Sequence, residues 1–309
     1  MGKKMLLLVV LVAVCLCGSA LALDPMGPPV AGLTKGQWSV GLDYAFSETD
    51  LDFDGSFDFY VYLDYPIYDY YYVTDIEDKL TFEAVEMHKG YLNIGYGVTD
   101  NVEAFLRIGG ARAETIKPNR DIYDGGMWIH EDGPVHDFDA GFAVGFGGKA
   151  TLYEDGPLKM GVLGQASWTE LDVRVKYQGM AATGPVYGQW EVPCEGELEF
   201  WEVQIAAGAS YELSPGFTAY GGPFFYWLDG EYNFKMDDWG TYMGTIPGDG
   251  PMFIMGYLDI KGSYDVENDS EFGGYLGAQI EVTENTNCRA ECILTGDAIG
   301  FGTGLTWLF

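Results

Sequence analysis

The feature that most constrains this chain is a regular alternation between apolar side chains and small or polar ones. The pattern begins at Trp38 and returns in segments that start near residues 102, 138, 158, 201, 272 and 299. Successive side chains of a β-strand point to opposite faces, so a period of two predicts strands with one apolar face. In the first segment one face holds Trp38, Val40, Leu42, Tyr44 and Phe46, and the other holds Ser39, Gly41, Asp43 and Ala45.

The face of each strand opposite the apolar one indicates what the strands enclose. It is rich in Gly, Ala and Ser with an occasional charge, which suits the interior of a closed barrel better than the open face of a soluble sandwich. In a transmembrane barrel the apolar face meets lipid, and tilted strands of about ten residues cross the hydrocarbon layer. Aromatic residues stand at the segment ends, as interfacial girdles require: Trp38, Phe46, Trp168, Trp201, Trp227 and Trp307.

The connections between these segments alternate in length. Four short ones have tight-turn composition and lie at residues 99–101, 154–157, 214–216 and 284–287. Between them run long acidic connections, rich in Gly and Tyr, at residues 48–78, 113–136, 178–196 and 236–268. This layout predicts an all-β fold, an antiparallel up-and-down transmembrane β-barrel with short periplasmic turns and long acidic extracellular loops.

The expected number of strands is ten, and an even number places both chain ends on the side of the short turns. Twelve strands result if residues 253–264 cross the membrane instead of extending a surface ribbon, and eight is also compatible with the pattern. A soluble secreted barrel or sandwich is the alternative fold. The ten segments lie near residues 37–47, 79–98, 102–113, 137–153, 158–176, 197–213, 217–234, 269–283, 287–294 and 297–309.

The N-terminus has the composition of an export signal. Two lysines precede an apolar run from Met5 to Cys17, and Ala20-Leu21-Ala22 fits the small-x-small cleavage rule. The apolar run is short for a transmembrane helix. We therefore expect three parts: a cleaved signal peptide at 1–22, a periplasmic N-terminal segment at 23–36 and the barrel at 37–309.

Three stretches resemble Gram-negative outer-membrane β-barrel proteins, most closely the small surface-antigen and OmpA-type barrel domains. They are residues 95–102, 213–217 and 296–309. The resemblance covers about residues 37–309, is one of pattern, and does not include a peptidoglycan-binding domain. It implies the outer membrane of a Gram-negative-type bacterium, reached by the secretory pathway. The final strand resembles the C-terminal signal that the barrel-assembly machinery recognises, carried by Phe301, Leu305, Trp307 and Phe309.

The charge of the chain restricts its partners. The formal net charge is −31, and no basic stripe exists that could bind nucleic acid. The expected partners are outer-membrane lipid, the barrel-assembly machinery during insertion, divalent cations and surface polysaccharide. Because acidic loops would repel an anionic surface, we expect calcium or magnesium to increase their order.

Several charged residues fall on the predicted lumen face and leave two functions open. One is a closed barrel with a structural, surface-exposed role. The other is a narrow, cation-preferring passive pore, by the logic of charged rings, although barrels of about eight strands fill with side chains. Pairing of Arg107 and Lys149 with Glu103 or Asp139 across the lumen would indicate a plugged interior. The candidate lumen-lining residues are Asp43, Glu103, Arg107, Asp139, Lys149 and Glu202.

Metal binding has one weak sequence signal. Asp50, Asp52, Asp54, Gly55 and Asp58 match positions of a calcium loop, but the twelfth position lacks the required Glu. The phenylalanines between them fit strand alternation, so a solvated acidic ribbon is the favoured interpretation and no cofactor is expected.

The cysteines and histidines give little support for chemistry. Cys288 and Cys292 occupy the apolar phase of one predicted strand, roughly 13 Å apart, too far to bridge. Together with Cys194 they leave an odd number, which excludes a fully paired framework. The three histidines, at 88, 130 and 136, match no protease or lipid-modifying arrangement. We therefore expect that the protein is not an enzyme, with an outer-membrane enzyme as a remote alternative.

Overall fold

The structure is a computed structural model that describes part of the chain. The expected signal peptide at 1–22 lies outside the described residues. The described residues are 23–64, 69–115, 119–124, 127–132, 136–137, 139–183, 186–246, 250–268, 272–296 and 298–309.

The described residues form fourteen β-strands. Ten of them are the strands β1 (Trp38–Asp64), β2 (Asp69–Thr99), β3 (Val102–Thr115), β7 (Gly141–Asp155), β8 (Leu158–Thr183), β9 (Val186–Ser214), β10 (Phe217–Ile246), β12 (Phe272–Thr283), β13 (Thr286–Leu294) and β14 (Ala298–Leu308). The other four are β4 (Asn119–Asp124), β5 (Met127–Asp132), β6 (His136–Asp137) and β11 (Gly250–Glu267).

The ten strands close into a barrel. Each pairs antiparallel with its neighbours in the order β1, β2, β3, β7, β8, β9, β10, β12, β13, β14, and β14 pairs with β1 from Ser39 opposite Leu308 to Thr49 opposite Ala298. The backbones of Trp38 and Phe309 also bond to each other, so the first and last strand residues meet. The fold class and the count of ten strands are confirmed.

Short turns join the strands at one end of the barrel. Gly156 and Gly216 have positive φ angles of 56° and 73° in the turns after β7 and β9, a conformation that glycine adopts without steric cost. These are two of the tight turns that the sequence predicts. None of the described residues forms a helix long and apolar enough to cross a bilayer.

At the other end of the barrel the long connections are built differently from the expected loops. They are largely continuous with the strands: the outer parts of β1 and β2 pair with each other, as do those of β8 and β9 and of β10 and β11. Strand β11 bonds to β10 on one side and to residues 52–64 of β1 on the other. It therefore extends a ribbon beyond the barrel and does not add a crossing to it. The cause is that the alternation persists beyond the membrane, with Phe53 and Phe57 buried and Asp54 and Asp58 exposed.

The outer surface changes character along each strand. On β9 the outward residues from Trp201 to Leu213 are apolar or small, and Trp201, Ile205 and Leu213 are each about half exposed. This stretch rises about 40 Å at roughly 3.3 Å per residue, and a tilt of about 40° leaves a height of roughly 30 Å, the thickness of the hydrocarbon core. Beyond Trp201 the outward residues are Glu199, Glu197 and Glu195. An apolar belt thus surrounds the barrel, and an acidic extension continues beyond it.

Candidate functional site in the barrel lumen

The N-terminal segment, residues 23–36, runs inside the barrel. It enters at the end with the short turns, where Gly36 N–H donates to the Gly97 carbonyl over 2.8 Å. It reaches the level of Thr49 and Leu51, which lie beside Leu23. We call residues 23–33 the plug. This position differs from the periplasmic one expected for residues 23–36.

The composition of the plug explains its placement. Its apolar side chains are almost fully buried, with Leu23, Met26 and Leu33 at most 3% exposed. Its three prolines, at 25, 28 and 29, lack a backbone donor, so the segment cannot join the sheet as a full strand. Burial of its remaining N–H groups therefore requires acceptors from the barrel wall.

Those acceptors are side chains that point into the lumen. Glu291 accepts from the N–H groups of Met26 and Gly27 over 2.5 and 2.7 Å. Thr151 accepts from Ala31 N–H over 3.1 Å, and Glu103 accepts from Gly32 N–H over 2.8 Å. Tyr220 donates its hydroxyl to Glu291 over 2.9 Å. The wall of the barrel thus takes the place of a neighbouring strand.

Small residues in the wall make room for the plug. A Cβ on Gly97 would lie 1.9 Å from the Thr34 carbonyl oxygen, and one on Gly161 would lie 2.5 Å from the Pro29 carbonyl oxygen. Neither distance is compatible with a side chain, because the neighbouring atom in each case is backbone. These two glycines are required by the close approach of the segment.

Asp24 makes the polar contacts of the plug that lie nearest the acidic extension. Its carboxylate lies 3.4 Å from the Lys89 ammonium and accepts from the Tyr91 hydroxyl over 3.0 Å. The Asp24 carbonyl accepts from the side-chain amide of Gln165 over 3.3 Å. The side-chain amide nitrogen of Gln204 donates to the same carbonyl over 3.1 Å. Four strand residues therefore hold one plug residue.

Lys89 joins Asp24 to the far wall. Its fully buried ammonium forms an ion pair with Glu202 and lies 5.3 Å from the centre of the Phe200 ring. Glu202 also accepts hydrogen bonds from Ser167 over 3.3 Å and Tyr226 over 3.2 Å. The buried charges on this level are thus held by opposite charges and hydrogen bonds, as burial requires.

A second ion-pair network lies closer to the short turns and is centred on Asp43. Arg289 bonds to the Asp43 carboxylate over 2.6 Å, and Arg107 lies 4.0 Å from it. Asn93 also donates to Asp43, and Arg107 donates to the Asn93 oxygen over 3.0 Å. Arg107 further donates to the Pro25 carbonyl over 2.5 Å. This network ties four strands, β1, β2, β3 and β13, to the plug.

Above the plug the lumen is filled by apolar side chains. A residual cavity of about 10 Å³ lies between Leu23 and this layer, too small for more than one water molecule. The layer is buried to at least nine-tenths and includes Leu51, Phe53, Val85, Met87, Leu171, Leu198, Phe200 and Leu228. The described lumen is therefore closed at two consecutive levels.

The predicted lumen residues have different positions. Asp43, Arg107, Lys149 and Glu202 point inward and are at most 7% exposed. Glu103 is half-buried at the plug. Asp139 is exposed, lies outside the strands and bonds through its backbone to the Asp172 carbonyl. It is not part of the lumen network because strand β7 begins two residues later.

Four charged residues of the lumen were not among the predicted candidates: Asp24, Lys89, Arg289 and Glu291. For Arg289 and Glu291 a signal existed in the sequence. Cys288 and Cys292 occupy the apolar, outward face of β13, so the strand alternation places Arg289 and Glu291 on the inward face. Lys89 shares the phase of Val85 and Met87. No sequence signal placed Asp24, since the plug has no alternation.

The acidic extension carries a row of carboxylates just above the belt, on five adjacent strands from β8 to β1. We call this row the collar: Glu170 opposite Glu199, Glu199 opposite Glu231, Glu231 opposite Asp265, and Asp265 opposite Asp54. Partial burial raises the pKa of Glu170, and the carboxylates of Glu197, Asp172 and Glu199 raise it further. Farther out, a hydrogen bond from Lys235 to Asp237 raises the pKa of Lys235.

The suggested calcium loop lies on strand β1. Asp52, Asp54 and Asp58 share the outward face, and Asp54 and Asp58 are roughly 13 Å apart at about 3.3 Å per residue. A calcium ion requires its ligands at about 2.3–2.6 Å. Across the described ranges, no three His, Cys, Asp or Glu side chains gather in a way that could hold a metal ion. The geometry of β1 favours the ribbon interpretation.

His88 lies on the outer surface among aromatic residues. Its Nδ1 is 2.7 Å from the Tyr44 hydroxyl, and its ring centre is 4.8 Å from that of Phe46. Farther round the barrel, Phe142 of β7 packs on Trp168 of β8. These contacts place His88 in an aromatic girdle at the upper edge of the belt. The side chains of the other two histidines lie outside the described residues.

A closed antiparallel barrel with an exposed apolar belt, aromatic edges and a polar interior is a transmembrane β-barrel of the outer-membrane type. No family model and no curated protein sequence matches this chain.

Solved structures with a similar course of the chain are outer-membrane proteins. The Escherichia coli outer membrane protease OmpT is 12% identical, with 93% of this chain and 99% of that one covered and a TM-score of 0.44. The translocator domain of the autotransporter NalP from Neisseria meningitidis is 11% identical, with coverages of 99% and 94% and a TM-score of 0.32. The Ralstonia pickettii toluene transporter TbuX is 10% identical, with coverages of 94% and 94% and a TM-score of 0.31.

Proposed function

We propose that this protein is a closed outer-membrane barrel with a structural, surface-exposed role: it holds a stiff acidic β-extension above the membrane. The observation that carries the proposal is the filled lumen, in which the plug and the apolar layer leave a residual cavity of only about 10 Å³ between them. The strands continue without interruption from the membrane belt into the extension, so a rigid base supports the acidic surface.

The alternative of a cation-preferring pore has less support. Such a pore needs carboxylates that face a water-filled path. Asp43 is instead paired with Arg289, Glu202 is paired with Lys89, and Glu103 accepts from the plug. These pairs support the closed barrel, although they are not the expected pairs of Arg107 and Lys149 with Glu103 or Asp139: Arg107 lies 4.0 Å from Asp43, and Lys149 has no ion pair within 4.0 Å among the described residues.

A role without catalysis is part of the proposal. His88, the histidine whose side chain is described, contacts Tyr44 and Phe46 on the lipid side. Enzymatic chemistry at this position would require an acid or a nucleophile beside it on a wetted surface, and its aromatic contacts support an interfacial role.

Assembly in the outer membrane of a Gram-negative-type bacterium is also proposed, after export by the secretory pathway. The apolar belt supports it, since its height matches a bilayer. Three residues of the C-terminal signal lie on β14, the strand that closes the barrel against β1, and the fourth, Phe309, follows it with its backbone bonded to that of Trp38. Recognition of Phe309 and Trp307 by the assembly machinery would therefore act on the strand that forms the last seam.

Divalent cations and surface polysaccharide are the proposed partners of the collar. Five carboxylates in successive cross-strand positions repel one another; burial, followed by the carboxylates of Glu197, Asp172 and Glu199, raises the pKa of Glu170. At the level of the lipid headgroups, calcium or magnesium would reduce the repulsion from anionic neighbours.

Epitope insertion tests the orientation and the surface role. A tag between Ile246 and Gly250, at the far end of the extension, should bind antibody on intact cells. The matched tag between Gly156 and Pro157, in a short turn, should bind only after the outer membrane is permeabilised. Labelling of the turn tag on intact cells would contradict the proposed orientation.

In the same cells, chelation of divalent cations should increase protease cleavage of the extension, and unchanged cleavage would count against the cation partners.

A further inference from the structure

The end of the barrel with the short turns contains an open cavity below the plug. Its volume is about 360 Å³, enough for roughly a dozen water molecules at about 30 Å³ each. Strands β3, β7 and β13 contribute Arg107, Lys149 and Arg289 to its deep wall, and the plug forms the opposite side with residues such as Gly32. The cavity thus opens to the compartment that the short turns face.

The deep wall carries one ammonium that has no partner among the described residues and two guanidiniums that pair with Asp43 but each keep one nitrogen without a hydrogen bond. Lys149 is 7% exposed, and among the described residues its ammonium has no ion pair within 4.0 Å and no hydrogen bond; it lies 5.8 Å from the centre of the Phe105 ring. Arg107 Nη1 and Arg289 Nε are likewise buried without a hydrogen-bond partner in the described part of the chain.

Arg289 Nη1 and Lys149 Nζ approach the same point. A Cβ placed on Gly27 would lie 2.7 Å from Arg289 Nη1 and 3.2 Å from Lys149 Nζ. Gly27 has a φ of +69°, so the plug backbone turns there without a side chain between the two cations. The two cations disfavour each other, although Asp43 pairs with Arg289 and Glu103 stands opposite Lys149 on the neighbouring strand, and an anion between them would relieve this repulsion.

We propose that this cavity binds a small phosphate-type oxyanion, either inorganic phosphate or a small phosphate monoester. Arg289 Nη1 and Lys149 Nζ approach one point and Arg107 lines the same cavity, and a tetrahedral anion with several acceptor oxygens can satisfy more than one of these donors. The exposed acids Glu212, Glu281 and Glu284 stand at the rim and Glu103 at the plug. These acids face water or the plug backbone. They weaken the long-range attraction of an anion to the cavity, while the deep cations make the direct contacts with it.

Phosphorus NMR of inorganic phosphate tests this site, with the full mature chain folded in a non-ionic detergent. The wild-type protein should broaden the phosphate resonance in a saturable manner at constant ionic strength. Lys149→Met should weaken binding at least tenfold. The matched control Lys159→Met should stay within about twofold, because that lysine is 41% exposed and pairs with Glu154 over 2.8 Å.

Stability provides the independent readout. Replacement of Lys149 leaves no hydrogen-bond or ion-pair partner unpaired among the described residues. Lys149→Met and Lys149→Gln should therefore fold without phosphate at least as stably as the wild type. Added phosphate should stabilise the wild type alone. Absence of saturable broadening, binding by either variant at the wild-type level, or failure of both variants to fold would overturn the proposal.

Discussion

Replacing Lys89 with Met should lower the free energy of unfolding by about 3–5 kcal/mol, the loss typical when one partner of a buried ion pair is removed. The side chain of Lys89 is fully buried and serves both Glu202 and Asp24. Without its ammonium, two carboxylates would share one water-excluded level of the lumen. Denaturant titration of the barrel refolded in lipid vesicles, followed by tryptophan fluorescence, measures the loss.

Two further variants separate charge pairing from a general loss of packing. Lys159→Met removes an exposed lysine and its pair with Glu154, so it should cost no more than about 1 kcal/mol. The double variant of Lys89→Met with Glu202→Gln should recover part of the loss, because the glutamine oxygen can accept from Tyr226 and its amide can donate to the Ser167 hydroxyl. A loss below about 1 kcal/mol for Lys89→Met would show that the ion pair does not stabilise the closed lumen.

Glu291→Ala should cost about 3–4 kcal/mol and loosen the plug. The carboxylate accepts from Met26, Gly27 and Tyr220, and a buried donor that loses its acceptor costs roughly 1–3 kcal/mol. Amide exchange at Met26 and Gly27 should accelerate by at least tenfold, since only this side chain holds their N–H groups among the described contacts.

The matched control for this change is Glu281→Ala. Glu281 also lies toward the lumen, but it is exposed at the rim, and surface substitutions of this kind usually stay within about 0.5 kcal/mol. Equal effects of the two substitutions on stability and on amide exchange would mean that the plug is not held by Glu291.

The wall of the barrel could be predicted from the sequence because each strand records its own orientation. The alternation from Trp38 to Phe46 recurs along the chain, and it fixed which face meets lipid before any pairing was known. The same rule put Asp43, Arg107, Lys149 and Glu202 inside. It also explains why the described residues of the expected loop at 48–78 form a ribbon, since Phe53 and Phe57 continue the buried phase beyond the membrane.

The occupation of the lumen could not be predicted in this way. The plug has no periodicity, and its contacts join residues far apart in the chain: Met26 and Glu291 are separated by 265 positions. Its apolar residues and prolines are compatible with an extended segment in the periplasm. Its position depends on lumen acceptors such as Glu291 and on the space beside Gly97 and Gly161, which only the closed barrel brings together.

The occupied lumen also changes the meaning of the charged residues that the sequence singled out. Asp43 and Glu103 read as pore-lining carboxylates when they are considered one strand at a time. In the folded barrel Asp43 neutralises Arg289, and Glu103 accepts from Gly32. The closed barrel therefore follows from how the strands and the plug meet.

Single-channel recording of the folded wild-type protein in a planar bilayer tests the closed lumen most directly. Folding is verified beforehand by heat-dependent gel migration, and a salt gradient reports ion selectivity. We expect inserted protein that stays silent, because the plug and the apolar layer block the lumen at consecutive levels. Steady cation-selective openings that weaken in Asp43→Asn or Glu103→Gln would contradict the closed barrel and establish a pore.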